Sequence, residues 1–438
     1  MSDSGPGIIP AVGGLMHHVT DLEIEKQLLP LLDFTGNPYA LQQLKDLLLH
    51  LPGSSAAVYE RQAIIKALIN NGYVLTGPNY SRQDFEEVYA FFGRLNSQTI
   101  YYDSNPAIAA FQLAWRRRYR YEVKGKLIQL VLMMERLHQY FDGVEATVFP
   151  DVLAKRITAM KVFLQQFRAA EMADHIRNDA FGLRDQVFLL DLLNRQLEEE
   201  EVKIQWETFF LYEAWLSLAK AMVKHNFSFP EFQEGGLTMK AFYHPLLKQP
   251  VKNDLTATGN VMLLTGPNMS GKSTLLKAIG LCVYLAHAGM GVPAAYCRLP
   301  FFGSITISIN LSDDLKNGYS HFMMEVQQLK QVLLQASAGK KCFAIFDELF
   351  RGTNVDDALD ISRQTISGLA AFNNSFFVIS THLYQLKPFV TSASAYYIDC
   401  VLHENMPRFL YTLKPGWSDL KIGWIIFEQE GLPALLGI

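Results

Sequence analysis

Residues 266–273 read Gly-Pro-Asn-Met-Ser-Gly-Lys-Ser, which fits the pattern G-x-x-x-x-G-K-[ST]. Such a stretch captures an anion: consecutive backbone N–H groups and the positive N-terminus of a helix wrap around phosphates. Lys272 would reach the β- and γ-phosphates of a nucleotide, and the Ser273 hydroxyl would hold Mg²⁺. Further along, the apolar run 342–346 ends in Asp347 and Glu348. Asp347 suits a direct or indirect hold on Mg²⁺, and Glu348 suits the general base that orients and polarises an attacking water. Taken alone, the same pair also reads as a strand-end turn with two solvated acids. A third candidate is His382, which follows the apolar run 376–379 and Ser380-Thr381. A strand-end histidine is often structural; beside a phosphate loop it becomes a γ-phosphate sensor or a water-positioning group. Asp313, Asp314 and the triplet Gly318-Tyr319-Ser320 precede a helical stretch over 321–336. Ser320 reads either as its N-cap or as a helix N-terminus aimed at a phosphate, including one held by a neighbouring subunit.

These groups need a scaffold, and the sequence supplies one. The phosphate pattern demands strand, loop and helix in that order, and Val261-Met-Leu-Leu264 precedes it while a helical stretch opens at Thr274. Apolar runs at 261–264, 304–309, 342–346, 376–379, 396–402 and 409–413 alternate with helical stretches. Alternation of that kind predicts a mostly parallel sheet with helices on its faces, and such sheets bind ligands at the carboxyl ends of their strands. From about residue 20 to 230 the pattern is helical instead. Residues 127–137 and 206–223 carry apolar side chains at three- and four-residue spacing, with Trp206, Phe209, Phe210, Ala214, Leu218 and Ala221 near one stripe. Pro30, Pro38, Pro52, Pro106 and Pro150 mark helix boundaries there. The acidic run 198–201 reads as a solvated helix face. The expected organisation is a tail over 1–20, a helical domain over 21–235 and an α/β P-loop NTPase domain over 236–438.

Composition bounds the function. The 438 residues carry 39 Lys plus Arg against 43 Asp plus Glu, a formal net charge of −4, with 49% hydrophobic and 19% charged residues. That excludes a disordered chain and leaves material for two or three domains of about 150 residues each. A near-neutral balance excludes whole-molecule electrostatic embrace of nucleic acid, but not a local basic stripe. The densest such stripe spans 116–126: Arg116, Arg117, Arg118, Arg120, Lys124 and Lys126, interleaved with Tyr119 and Tyr121 and preceded by Trp115. It reads as a DNA phosphate contact, or equally as a solvated face or a packing surface for acidic partners. The four cysteines are too far apart for a C-x-x-C site, so a reduced compartment and no structural metal are expected. The first residues lack the features of a signal peptide. Residues 278–297 hold no formal charge, but Gly280, His287, Gly289, Gly291 and Pro293 favour a buried helix followed by a loop over a membrane span. A soluble, cytoplasmic protein is expected.

Several phrases together resemble one family. Thr265-Gly-Pro-Asn-Met-Ser-Gly-Lys-Ser-Thr274 is similar to the TGPNMxGKST loop of the MutS family of DNA mismatch repair ATPases. Asp347-Glu-Leu-Phe-Arg-Gly-Thr353 resembles its DE-x-GRGT, and Ser380-Thr-His382 its [AS]TH switch. Asp313-Asp-Leu with Ser320-His-Phe-Met-Met-Glu325 resembles DDL…STFMxEM, and the tail from Pro415-Gly416 to Gly431-Leu-Pro433 resembles the family's PG-x-S…YG…AGLP ending. More weakly, residues 212–245 resemble the end of the MutS lever and entry to its ATPase domain, and 37–62 the start of the MutS core.

The resemblance implies an ABC-type ATPase sheet preceded by a helical core and lever. It implies ATP held by Gly266, Pro267, Asn268, Met269, Ser270, Gly271, Lys272, Ser273 and Thr274. It also implies Mg²⁺ held by Ser273 and Asp347, with chemistry at Glu348 and His382. Family members dimerise so that the signature serine, here Ser320, completes the other subunit's site; a homodimer or heterodimer through the ATPase domain and DNA as a partner are therefore expected. Departures are also visible. By this comparison the N-terminal mismatch-reading domain has no room, the helical region is short for a full DNA clamp, and the C-terminal helix-turn-helix is missing. Phe350 stands where the family has glycine, His321 where it has threonine, and Val251 where an adenine-stacking aromatic lies. None of these removes a phosphate or Mg²⁺ ligand. The resulting expectation is a MutS-like, ATP-hydrolysing DNA-binding protein of mismatch repair or recombination. The alternative is a nucleotide-gated scaffold that pairs with a longer MutS homologue and hydrolyses little. A transport ATPase is disfavoured, because the signature is not LSGGQ.

Overall fold

The computed structural model describes residues 15–96, 106–198, 200–267, 269–309, 321–350, 353–390, 393–403, 406–417 and 422–437. Their backbone forms two compact units, one built from residues 31–47 and 60–224, the other from 15–30, 48–59 and 225 onward.

The first unit is helical. After the short α1 (Leu29–Leu32), its elements are α2 (Pro38–Leu49), α3 (Ser55–Asn70), α4 (Arg82–Asn96), α5 (Pro106–Trp115), α6 (Arg117–Asp142), α7 (Asp151–Gln166), α8 (Ala169–Arg177), α9 (Leu183–Glu198) and α10 (Glu201–His225). The stripe read from the sequence of α10 is buried throughout, from Trp206 to Ala221. The helix is covered on its other faces too, with Tyr212, Trp215, Leu216 and Ala219 equally inside, so it is a central helix rather than a one-sided surface one. Aromatic edges do much of the packing: Trp206 meets Phe85 edge-on at 5.6 Å and Tyr89 at 5.8 Å.

A charged residue sits in this core. Glu213 of α10 is 5% exposed and accepts hydrogen bonds from the Gly36 amide (2.7 Å), the Asn37 side chain (2.5 Å) and the Tyr80 hydroxyl (2.6 Å). These donors tie the entry to α2 and the turn before α4 onto α10. Burial raises the Glu213 pKa above the ordinary 4.5, against the lowering effect of its donors. An acid whose folded-state pKa is raised holds its proton more tightly when folded. Its stabilising contribution is therefore complete below about pH 4.5 and is lost as the pH rises through the folded value. Glu213→Ala should cost about 2–3 kcal/mol by leaving buried donors unmet. Glu213→Gln should keep an acceptor and lose this pH dependence, so its urea midpoint should gain on wild type as the pH rises above about 4.5.

The second unit holds two sheets. The strands in chain order are β1 (Met16–His18), β2 (Glu231–Phe232), β3 (Leu237–Phe242), β4 (Asn253–Ala257), β5 (Val261–Thr265), β6 (Tyr296–Leu299), β7 (Ser304–Ser308), β8 (Cys342–Phe346), β9 (Phe376–Thr381), β10 (Ser394–His403) and β11 (Met406–Pro415). The large sheet runs β1-β7-β8-β9-β5-β10-β11. Its neighbours are parallel except β10 and β11, which form an antiparallel ribbon. Strands β5, β7, β8 and β9 are buried along their whole length, as parallel strands covered on both faces must be. The covering helices are α11 (Lys272–Ala288), α12 (His321–Ser337) and α13 (Val355–Leu369), with α14 (Ile422–Gln429) and α15 (Leu432–Leu436) at the end. The second unit is thus an α/β fold around a mostly parallel sheet, as the alternating pattern predicts, and the first is helical.

Two parts of this unit depart from the expectation. Residues 16–18, expected in a tail, pair in parallel with β7 at the sheet edge, Met16 opposite Ser304; three residues are too few for an alternation to be seen. A second sheet, β2-β6-β3-β4, was not foreseen, because its strands are short and carry charged or polar residues at alternate positions. The uncharged stretch from 278 is the buried body of α11 and the loop after it. His287 near its end is fully buried, its Nδ1 donating to the Val283 carbonyl (2.7 Å) and its Nε2 accepting the Phe302 amide (2.9 Å). Burial pushes its pKa down to about 4, which keeps it neutral. Among the described residues no helix is long and apolar enough to cross a membrane.

Candidate nucleotide site

Strand β9 lies between β5 and β8, and all three are parallel. Their carboxyl ends therefore open on one edge, with Thr265 level with Thr381 and Phe346 level with Ile379. The phosphate loop, the acidic pair and the Ser380-Thr381-His382 phrase all leave the sheet at that edge.

After β5 the chain turns through residues that need left-handed backbone: Gly266 (φ 149°), Met269 (φ 68°) and Gly271 (φ 93°). Gly271 is the cap of α11, so the first amides of that helix face the loop. Pro267 bends the loop, and its carbonyl accepts the Ser270 amide at 3.3 Å. Asn268 lies outside the described residues, and Met269 projects with 77% of its surface exposed. Lys272, the first residue of α11, is buried; its Nζ donates to the Gly266 carbonyl (2.8 Å) and the Pro267 carbonyl (3.1 Å) and stands 3.6 Å from Glu348 Oε1. Ser273 Oγ donates to Asp347 Oδ2 at 2.6 Å, joining loop and carboxylate across the intervening strand. Thr274 is exposed on the same turn.

His382 is exposed just past the end of β9. Ser320, with Asp313 and Asp314, lies outside the described residues.

Four participants escaped the sequence reading. Ser380 is fully buried; it donates to Asp347 Oδ1 and accepts the Glu348 amide at 2.8 Å, so one hydroxyl aligns both acids. Its place in the Ser-Thr-His phrase was the available signal. Tyr411 of β11 lies against the loop: a Cβ placed on Gly271 would meet its ring at 3.1 Å. Asn253 holds the tyrosine there, its side chain donating to the carbonyls of Tyr411 (3.1 Å) and Val251 (3.3 Å) and accepting the Leu413 amide (2.7 Å). Nothing local marks these two, because they meet only through the fold. The fourth is Glu325 of α12, whose carboxylate accepts the Phe350 amide at 2.7 Å. Phe350 is itself buried with a left-handed backbone (φ 68°), the conformation that a glycine in this place would adopt freely.

The donor set suits a nucleoside triphosphate with its metal. Ser270 keeps a buried hydroxyl that, among the described residues, has no hydrogen-bond partner. Lys272 supplies positive charge, and a hydroxyl beside a carboxylate is the hard-oxygen pair that Mg²⁺ accepts.

In the helical unit, the basic stretch straddles the junction of α5 and α6. Trp115, Arg116, Arg118 and Tyr121 are exposed, and Phe111 stacks on Trp115 with centroids 6.0 Å apart. Lys126 is engaged elsewhere, paired with Glu87 at 3.2 Å, so the outward charge is concentrated toward the start of α6.

Residues 262–436 match the model of MutS domain V. The DNA mismatch repair protein MutS of Pelotomaculum thermopropionicum is 33% identical over 233 residues, covering 50% of this chain and 27% of that protein. The MutS of Desulfitobacterium hafniense is 32% identical over 237 residues, 51% of this chain and 27% of its own length. That of Thermus thermophilus is 30% identical over 253 residues, 57% and 31% respectively. The chain thus spans under a third of the length of these curated relatives. Residues 262–436 are thus similar to MutS domain V, and the phosphate loop that falls within them lies at the carboxyl edge of the sheet.

Proposed function

We propose that the chain is an ATPase that acts on DNA in mismatch repair or a related repair or recombination process. The observation that carries this reading is the Ser273–Asp347 hydrogen bond at 2.6 Å, with Lys272 and Glu348 beside it. The residues of the loop hold the phosphates: Gly266, Asn268, Met269, Ser270, Gly271 and Thr274 by backbone and hydroxyl donors, Pro267, which has no N–H, by shaping the turn, and Lys272 by charge. Ser273 and Asp347 hold Mg²⁺, which when bound neutralises charge developing on the phosphate oxygens. Ser380 keeps Asp347 and Glu348 in place. Glu348 takes a proton from water, and His382 helps position that water. Tyr411, half exposed beside Gly271, offers a ring face to the base.

In this reading two ATPase domains, of like or unlike chains, share sites, with Ser320 of each reaching the other's nucleotide; the helical residues are a MutS-like core and lever. DNA lies along the stretch from Arg116 to Lys126, and the protein works in the cytoplasm. Binding of duplex DNA should weaken as salt rises, and replacing Arg116 and Arg118 together by alanine should flatten the log–log salt slope by about 2. Turnover of purified protein, with and without DNA, tests the whole reading. ATP hydrolysis stimulated by DNA supports it; an inert chain that turns over only with a longer MutS partner would favour the scaffold instead.

A further inference from the structure

We propose that Glu325 is a positioning residue that couples α12 to the general base; this rests on the reading of Glu348 given above. The segment that carries Glu348 is not self-supporting. Glu348 (φ 52°) and Phe350 (φ 68°) both hold left-handed backbone although each has a Cβ, a conformation that persists where surroundings impose it. Two hydrogen bonds from other elements impose it here. Ser380 of β9 accepts the Glu348 amide at 2.8 Å, and Glu325 of α12 accepts the Phe350 amide at 2.7 Å. The first clamp belongs to the same sheet edge. The second comes from a helix that starts at His321, directly after Ser320.

Glu325 is 1% exposed, so its carboxylate lies in a low-dielectric setting where a charge-assisted hydrogen bond is short and directional. Phe350 is buried, and the ring of Phe322, one turn before Glu325 on α12, lies 6.2 Å from the Phe350 ring, a second contact between α12 and this segment. Any shift of α12 along its axis is passed by this bond to residue 350, and through two peptide units to Glu348.

The test compares Glu325→Ala, Glu325→Gln and Glu348→Gln in the full chain, using ATP with Mg²⁺. Three readouts are taken: ATP affinity, steady-state turnover, and amide hydrogen exchange over 347–353 without nucleotide. Glu325→Ala should leave affinity within about 3-fold of wild type, lower kcat about 10- to 100-fold and speed exchange of that peptide. Glu325→Gln, which retains an acceptor oxygen for the Phe350 amide, should recover most of kcat and the slow exchange. Should the alanine variant fail to fold, Glu325→Asp, with its carboxylate drawn back by one methylene, takes its place and should show the same split between kcat and KM. Wild-type turnover and exchange in the Ala or Asp variant, with Glu348→Gln inactive, overturns the coupling alone. Normal turnover in Glu348→Gln overturns the base assignment and the proposal with it, whatever Glu325 does.

Discussion

Lys272→Ala is expected to lose ATP affinity by about 100-fold or more, equivalent to about 2.8 kcal/mol. The ammonium is 5% exposed and sits between the carbonyls of Gly266 and Pro267 and the carboxylate of Glu348. It is therefore pre-placed at the mouth of the loop and desolvated, a setting in which a charge contributes more to phosphate capture than it does in water. Removing it also takes away the positive charge 3.6 Å from Glu348, which brings that carboxylate's repulsion of the triphosphate into play beside the lost attraction. Lys272→Arg should fail as well, since a guanidinium does not fit a space closed around an ammonium. Titration with a fluorescent ATP analogue measures both variants; far-UV circular dichroism and a thermal melt establish that they are folded.

Glu348→Gln should behave in the opposite way, binding ATP and failing to turn it over. A general base contributes about 10²- to 10⁴-fold to rate, so kcat should fall by that order. Affinity should hold or improve, because the amide no longer competes for Lys272, 3.6 Å away in the native chain. Finding binding and hydrolysis lost together would place Glu348 in phosphate capture, and finding neither changed would remove it from the site.

The parts of the fold legible in the sequence were those written in consecutive residues. The apolar strands ending at Thr265, Phe346 and Thr381 stand out because parallel strands buried on both faces need unbroken apolar runs. The phosphate loop is legible for a related reason: its glycines, lysine and serine act from one short backbone segment. What the sequence left hidden is long-range. Ser380 meets Asp347 and Glu348 across more than thirty residues, Glu325 meets Phe350 across 25, and Asn253 meets Tyr411 across 158. No spacing rule reaches so far. The small sheet was missed because β3 and β4 alternate polar with apolar over a few residues, and β2 is only two residues long. Phe350 looked like a departure from the glycine pattern; the chain bears it by burying the ring and bonding the amide to Glu325.

Isothermal titration of the purified chain with ATP in the presence and absence of Mg²⁺ tests most directly whether a triphosphate and its metal sit between the loop at 266–273 and the acids at 347–348. Saturable binding to one site per chain is expected, strengthened by Mg²⁺, with the Mg²⁺ gain removed by Asp347→Asn. No heat with ATP, or a Mg²⁺ gain that survives Asp347→Asn, would contradict it.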